Sequence, residues 1–413
     1  MMTLRKNTPK NIDVIFLIAL LFSIVFIPFI PITSSFNLAI EEVLLLYPAL
    51  RLLTIKPKIN TFSIVLAAFS VYILFTIFMN GHMRQLNEYF EVFKIIKLII
   101  VYQFSIFVLS EQKHLNQLVK AVNVIFILSF VINFIHFFDF FNFTRSCLSF
   151  YDPNSIDVAT YGLNSLGQPA AKRIIGTFGN PNDNAIFFLF LVAFYATKIN
   201  YLKDKLYSFH ALSLIGSSMM VILTQSRTGF IDLIALFILH LYNNRIHYKK
   251  VLLVLLSIAA IFFVNYNIDA VATSYFHNTS ARIIENNSVK GRIEVWKHLL
   301  QMWNDKPIFG YGPNKNYMYA NNIYPENEYI FFLWRFGLVG LLFYLYLIFY
   351  PIVALKRKIG DYSMVQYSII IIAITALTNV PLSNMKFMFF VAIIYGSMEA
   401  LKERKSLQSI DKC

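Results

Sequence analysis

Residues 61–80 read TFSIVLAAFSVYILFTIFMN, an apolar run without a charged side chain. As a helix, about 20 such residues are long enough to cross the roughly 30 Å hydrocarbon core of a bilayer. Lipid offers no hydrogen-bond partners to exposed backbone, so the run is expected to pair its own backbone groups as a helix. Similar runs recur along the 413-residue chain, in which 57% of the residues are hydrophobic and 14% are charged. The fold class predicted from these runs is an all-α, polytopic integral membrane protein.

The length and apolar pattern of these runs predict about 12 transmembrane helices in a single membrane domain over residues 1–413. The span at 37–54 is the weakest because it carries Glu41 and Glu42, yet the charge pattern described next requires it. The approximate bounds of the predicted spans are 13–32, 37–54, 61–80, 89–109, 117–140, 182–199, 208–225, 229–243, 251–268, 328–350, 363–380 and 386–401.

Short clusters of lysine and arginine lie between the predicted spans, on alternate sides of successive ones. All clusters then share one face, which the positive-inside rule assigns to the cytoplasm together with both termini. This distribution accounts for the net charge of +14 without a separate basic domain, so no nucleic-acid partner is expected. The clusters are Arg5/Lys6/Lys10, Arg51/Lys56/Lys58, Lys113/Lys120, Lys198/Lys203/Lys205, Arg245/Lys249/Lys250, Lys356/Arg357/Lys358 and Lys402/Arg404/Lys405.

Two long loops are predicted on the outer side, at residues 142–183 and 265–327. Loops of that length between compact elements are usually functional. Cys147 and Cys413, the only cysteines, are predicted on opposite sides of the membrane. Neither a disulfide between them nor a cysteine-based metal site is therefore expected.

The first outer loop ends in AKRIIGTFGNPNDN, residues 171–184, where glycine, asparagine and proline predict a turn into the next helix. Lys172 and Arg173 lie just before this turn, and Asn180 and Asn182 lie within it. These residues are candidates for binding a substrate. The alternative is an ordinary helix-entry turn with solvated basic side chains.

Arg227 stands in TQSRTGF, a very short outer turn between two apolar spans. An arginine close to hydrocarbon is costly unless it is paired, solvated or functional, so Arg227 is a candidate functional residue. The alternative is an interfacial arginine whose long side chain reaches the lipid headgroups.

The second outer loop contains VKGRIEVWKHLLQMWNDKPIFGYGPN, residues 289–314. Its apolar residues recur at helical spacing, which predicts an amphipathic helix that lies on the membrane or packs on the bundle. Pro307, Gly310 and Gly312 then predict the end of the helix and a tight turn. Arg292, near the start of this helix, is a candidate functional residue.

The loop meets the next span in PENEYIFFLWRFGLVG, residues 325–340. Glu326 and Glu328 are candidates for a general base, or for orienting a sugar hydroxyl. An acidic residue at a helix start is also explained by the helix dipole alone. Arg335, about two turns into the span, needs a buried partner or a water-filled cavity.

Taken in order, GTFGNPN, SRTGF, GRIEVW followed by DKPIFGYGPN, and ENEYIFFLWRFGLVG resemble the shared pattern of the O-antigen ligase and polymerase superfamily over about 170 residues. Ligases of that superfamily typically carry a His-Asn pair where this chain has Glu326 and Asn327. The departure favours a polymerase, with a ligase kept as the alternative.

The resemblance implies glycosyl transfer on the periplasmic face of a bacterial inner membrane, without a metal or other cofactor. A growing glycan would leave undecaprenyl diphosphate and join a sugar hydroxyl of the next lipid-linked repeat unit. Arg173, Arg227 and Arg292 would stabilise the diphosphate charge. Residues expected to bind the substrates are Lys172, Arg173, Asn180, Asn182, Asn327, Tyr329 and Arg335. Membrane lipid, a chain-length regulator and a flippase of the same pathway are the expected partners.

A flippase or other secondary transporter is the alternative from another class, because such proteins also have about a dozen spans. Transporters usually place their key charges near mid-membrane. Here most candidates lie near the outer boundary, with Lys94, Lys97 and Arg335 as unassigned exceptions.

Overall fold

A computed structural model describes residues 8–28, 30–33, 36–138, 140, 173–199, 207–243, 279–321, 323–355 and 362–410. The helices are α1 Asn11–Phe26, α2 Ile40–Leu44, α3 Leu46–Ile55, α4 Thr61–Met79, α5 Leu86–Leu109, α6 Gln112–Phe138, α7 Pro181–Ile199, α8 Tyr207–Leu223, α9 Arg227–Asn243, α10 Thr279–Asp305, α11 Lys315–Ala320, α12 Glu328–Leu355, α13 Ser363–Thr375 and α14 Met385–Ile410. One small antiparallel hairpin, β1 Ile30–Thr33 with β2 Phe36–Leu38, lies between α1 and α2. Lys172, Cys147, Cys413 and the span predicted at 251–268 lie outside the described residues.

Four of the described helices, α4, α5, α6 and α12, are long and apolar enough to cross a membrane, and α1, α8 and α13 are shorter apolar helices. The prediction of an all-α polytopic membrane protein is confirmed. The count of about twelve spans stays a prediction.

The predicted span at 37–54 is wrong as a single helix. Residues 36–38 form β2, and the helical part divides into α2 and α3 at Leu45. Pro48 explains the break, because its ring conflicts with a helical carbonyl four residues earlier, at Leu44, where α2 ends. The first span is also shorter than predicted, since Ile27, directly before Pro28, adopts the extended backbone that proline imposes on its predecessor.

Several basic clusters converge on one end of the bundle, the basic end. The contacts are Arg51 Nε to Asp13 Oδ1 at 3.0 Å, Lys113 Nζ to Asn11 Oδ1 at 3.3 Å, and Arg404 Nη1 to Gln112 Oε1 at 2.5 Å. α5, with 24 residues and a length of about 36 Å, spans the bundle and brings the chain to this end from the opposite one. That opposite end, referred to as the site end, holds the start of α12 and the 376–384 segment between α13 and α14.

α12 is interrupted by Gly337, whose φ of 62° and ψ of −164° leave the helical region. The break leaves backbone N–H groups of α12 without partners inside the helix. Carbonyl oxygens of the turn after α10 accept their hydrogen bonds, and Leu338 N donates to Pro307 O at 2.9 Å. Gly310, at φ 65°, faces the same break, because a Cβ there would lie 2.5 Å from the Arg335 carbonyl oxygen. The two glycines thus allow the backbones of α12 and of the turn after α10 to touch.

The amphipathic helix predicted in the second outer loop is present as α10, and it packs on the bundle. Leu299 is fully buried in a small apolar cluster with Phe331 and Trp334 of α12. The Trp296 indole N–H donates to Pro325 O, directly before the start of α12. α10 therefore positions the residues that lead into α12.

Candidate functional site

An ion pair between Arg292 of α10 and Glu326 lies at the site end. Glu326 has a φ of 43°, a left-handed conformation that few non-glycine residues adopt. The two side chains are 32% and 39% exposed, so the pair is open to a ligand. The Arg292 guanidinium, which can donate two hydrogen bonds to one anion, lies beside the Glu326 carboxylate. Each group can contact a polar substrate.

Asn327 fastens the start of α12. Its side-chain oxygen accepts the Ile330 backbone N–H at 3.0 Å, as a helix N-cap does, and its amide donates to Leu377 O at 3.0 Å. Tyr329 donates from its hydroxyl to Ala373 O at 2.9 Å. In this structure both residues tie α12 to the end of α13.

Glu328 is fully buried, unlike Glu326 two residues earlier. Its carboxylate accepts hydrogen bonds from the Tyr344 hydroxyl at 2.7 Å, Leu382 N at 2.9 Å and the Ser383 hydroxyl at 2.7 Å. Its backbone N–H donates to Ala376 O at 2.8 Å. Glu328 therefore holds the 376–384 segment against α12.

Replacing Glu328 with alanine is expected to lower the free energy of unfolding by about 3 kcal/mol, because two buried donors and the half-buried Ser383 hydroxyl would lose their acceptor. The measurement is the thermal unfolding midpoint of the purified protein in detergent. Glu294→Ala, at an exposed position of α10, is the matched control and should leave the midpoint unchanged. A Glu328→Ala protein as stable as that control would contradict the holding role.

Arg173 also lies at the site end. Its Nε donates to Thr224 O at 2.9 Å and its Nη2 to Asn182 Oδ1 at 3.1 Å. The side chain of Asn180 accepts the Asn182 backbone N–H at 2.8 Å, which forms the predicted turn into α7. The turn and Arg173 thus form one assembly.

Arg227 begins α9 and is exposed. The Ser226 hydroxyl before it accepts the Gly229 backbone N–H at 3.2 Å and so caps the helix. The neighbouring Thr228 hydroxyl contacts that of Thr378. Arg227 is therefore held at the same turn, after α13, that Asn327 contacts through Leu377.

The turn at residues 376–378 links the sequence-predicted residues. Thr228, next to Arg227, contacts this turn at Thr378, and Asn327, next to Glu326, contacts it at Leu377. Arg173 binds the Thr224 carbonyl, three residues before Arg227. The arginines predicted from different segments thus converge on one end of the bundle.

A second charged cluster, centred on Glu91, is not predicted by the sequence motifs. Glu91 of α5 contacts Lys94 Nζ at 3.1 Å, Lys315 Nζ at 3.0 Å and Arg335 Nη1 at 3.5 Å. It supplies the partner that Arg335 needed. The signal available was the spacing of Glu88, Glu91 and Lys94 every three residues, which places charge along one face of an otherwise apolar helix.

A family model described as O-antigen ligase matches residues 212–345. Residues 212–345 are thus similar to that family over about a third of the chain. The matched stretch contains Arg227, Arg292, Glu326 and Arg335, whereas Arg173 lies before it. A comparison with curated proteins found no match. The match supports the resemblance to the O-antigen ligase and polymerase superfamily.

Proposed function

We propose that the protein is a polymerase of O-antigen or a related surface polysaccharide. It would transfer a growing glycan from undecaprenyl diphosphate to a sugar hydroxyl of the next lipid-linked repeat unit. The observation that carries the proposal is the partly exposed Arg292–Glu326 pair at the start of α12, within the stretch that is similar to O-antigen ligases. An acidic residue stands there where ligases of the superfamily typically have histidine.

In the proposed reaction, the hydroxyl oxygen of the acceptor sugar attacks the anomeric carbon of the donor. The bond from that carbon to the diphosphate oxygen breaks, and its electron pair leaves with the lipid diphosphate. The negative charge that develops on the leaving group has to be stabilised where it appears. Arg292, Arg227 and Arg173 are assigned this role, because guanidinium groups donate bidentate hydrogen bonds to phosphate oxygens.

Glu326 is assigned to the acceptor. A carboxylate accepts a hydrogen bond from a sugar hydroxyl and so aims its oxygen at the anomeric carbon. The hydroxyl proton leaves to Glu326 or through it to water. Glu328, buried with three donors around its carboxylate, is a positioning residue in this scheme.

The site end is assigned to the periplasmic face of a bacterial inner membrane, with both termini in the cytoplasm. The support is the convergence of basic clusters on the other end of the bundle, since lysine and arginine accumulate in cytoplasmic connections.

The proposal is tested in the source organism with Arg227→Ala, Arg292→Ala and Glu326→Ala, each compared on a gel of surface polysaccharide. The expected result is loss of the polymer ladder while single repeat units are still displayed. Lys297→Ala, at an exposed position of α10, is the control and should keep the ladder. Loss of every capped species would instead indicate a ligase, and repeat units retained inside the cell would indicate a flippase.

A further inference from the structure

The turn after α10, residues 306–310, leaves two large apolar side chains on the surface of the protein. Ile308 is 55% exposed and Phe309 is 43% exposed. The Phe309 ring lies 5.4 Å from that of Phe75 on α4, and the Ile308 carbonyl oxygen accepts the Val339 N–H of α12 at 3.4 Å. Both helices are long and apolar enough to cross a membrane. The turn therefore lies against the outward face of two spans.

The level of the turn along these two helices is that of hydrocarbon. Residues 61–79 of α4 and residues 336–355 of α12 carry no charged side chain, and about 20 such residues cover the core of a bilayer. Tyr72, whose ring centroid lies 6.5 Å from that of Phe309, is seven residues before the end of α4, about 10 Å along its axis. Phe78 and Met79, nearer the site end, are also exposed and apolar. The apolar surface thus extends on both sides of the turn.

The carbonyl oxygens of the turn are all paired within the protein. Lipid offers no donors, so irregular backbone at membrane depth is tolerated only where protein groups satisfy it. The five carbonyls meet that requirement. The pairs are Lys306 O with Gly310 N at 3.0 Å, Pro307 O with Leu338 N at 2.9 Å, Ile308 O with Val339 N at 3.4 Å, Phe309 O with the Tyr72 hydroxyl at 3.5 Å and Gly310 O with Asn80 Nδ2 at 3.3 Å.

Polar residues just before the two apolar side chains mark the level of the lipid headgroups. Lys306 Nζ donates to Asn80 Oδ1 at 2.6 Å, at the residue that ends α4. The Trp303 indole N–H donates to Pro307 O at 3.0 Å. Tryptophan and lysine are typical of the boundary between membrane and water. An apolar tip below such residues is the pattern of shallow insertion into a leaflet.

We propose that residues 307–309 form a membrane-inserted tip, in which Ile308 and Phe309 contact the acyl chains of the lipid leaflet at the site end. The occupant is lipid, because the exposed apolar surface of the tip continues into that of α4 and α12. The tip anchors the end of α10, and Arg292 lies 14 residues earlier, about 20 Å along the same helix. The leaflet thereby fixes the height of Arg292 above the membrane. The contact does not depend on the reaction that the site performs.

The test attaches a nitroxide label at Phe309→Cys in the full chain, with Cys147→Ser and Cys413→Ser, in phosphatidylcholine and phosphatidylglycerol vesicles. Power-saturation EPR measures collisions of the label with oxygen, which concentrates in hydrocarbon, and with nickel(II) ethylenediaminediacetate, which stays in water. The ratio of oxygen to nickel collisions should be several times higher at position 309 than at an aqueous position. Ile308→Cys is labelled in parallel and should give the same result.

Two further positions calibrate the measurement. Lys297→Cys, at an exposed position of α10, is the aqueous reference, and Leu74→Cys, on the exposed face of α4, is the hydrocarbon reference. Labels at positions 308 and 309 should resemble the Leu74 label. Nickel collisions as frequent as at Lys297 would overturn the inference. Labels sheltered from both reagents would also overturn it, because a second protein chain would then cover the tip.

Discussion

Replacing Arg292 with alanine should lower the initial rate of glycan transfer by about a hundredfold or more. The substitution removes a cation placed where diphosphate charge develops, and loss of one such preorganised donor typically costs 10²–10³ in rate. It also removes the partner that holds Glu326. The measurement is polymer formation by the purified protein from a lipid-linked repeat unit.

Arg292→Lys keeps the charge but loses the planar pair of donors, so an intermediate rate is expected. Lys297→Ala, on the same helix, should leave the rate unchanged. Because the Arg292–Glu326 pair is partly exposed, Arg292→Ala should keep nearly the wild-type unfolding midpoint. Full transfer activity of the Arg292→Ala protein would show that Arg292 does not stabilise the leaving group.

Replacing Gly337 with alanine should lower the free energy of unfolding by about 3 kcal/mol or more. Its φ of 62° with a ψ of −164° lies in a region that is essentially restricted to glycine. A Cβ at this position would lie 2.2 Å from the Ile308 carbonyl oxygen, so the turn after α10 would also have to move. Thermal unfolding in detergent measures the effect.

Gly291→Ala is the matched control. Gly291 lies in α10, and a Cβ added there meets no atom within 4 Å. Alanine is the better helix former by about 1 kcal/mol, so this variant should be as stable as the wild type or more so. Equal stability of Gly337→Ala and Gly291→Ala would show that the turn does not dock in the break of α12.

Local pattern was sufficient for the fold class and for α10. The apolar runs require helices in lipid, and the spacing of Leu299 and its apolar neighbours predicted the amphipathic helix that the structure contains. Local pattern was insufficient at 37–54. The apolar composition there predicted one helix, and the break caused by Pro48 was not predicted. It was also insufficient at Gly337, whose conformation depends on a turn almost thirty residues earlier in the chain.

Glu326 and Glu328 differ in the contacts that their side chains make, and these contacts indicate different roles. Glu326 and Glu328 looked equivalent because both stand where a loop meets a span. In the structure Glu326 precedes the helix and faces Arg292, whereas Glu328 enters the helix and turns towards Tyr344 and the 376–384 segment. Their separation depends on elements distant in sequence, which spacing alone cannot supply.

The charged cluster around Glu91 was not predicted, for the same reason. Lys94 and Arg335 were unexplained charges within spans, and the carboxylate that pairs with both, and with Lys315, is that of Glu91 on α5. Long-range ion pairs of this kind leave no periodic signal. Only the charged face of α5 indicated that Lys94 would point into the bundle.

Polymerisation of lipid-linked repeat units is tested by giving the purified protein one defined undecaprenyl-diphosphate-linked repeat unit as its sole substrate. We expect a ladder of lipid-linked products that grow by whole repeat units, with release of free undecaprenyl diphosphate. We also expect that Glu326→Ala makes no ladder. A wild-type protein that returns the repeat unit unchanged, and transfers it only when a different acceptor is supplied, would contradict the proposed polymerisation.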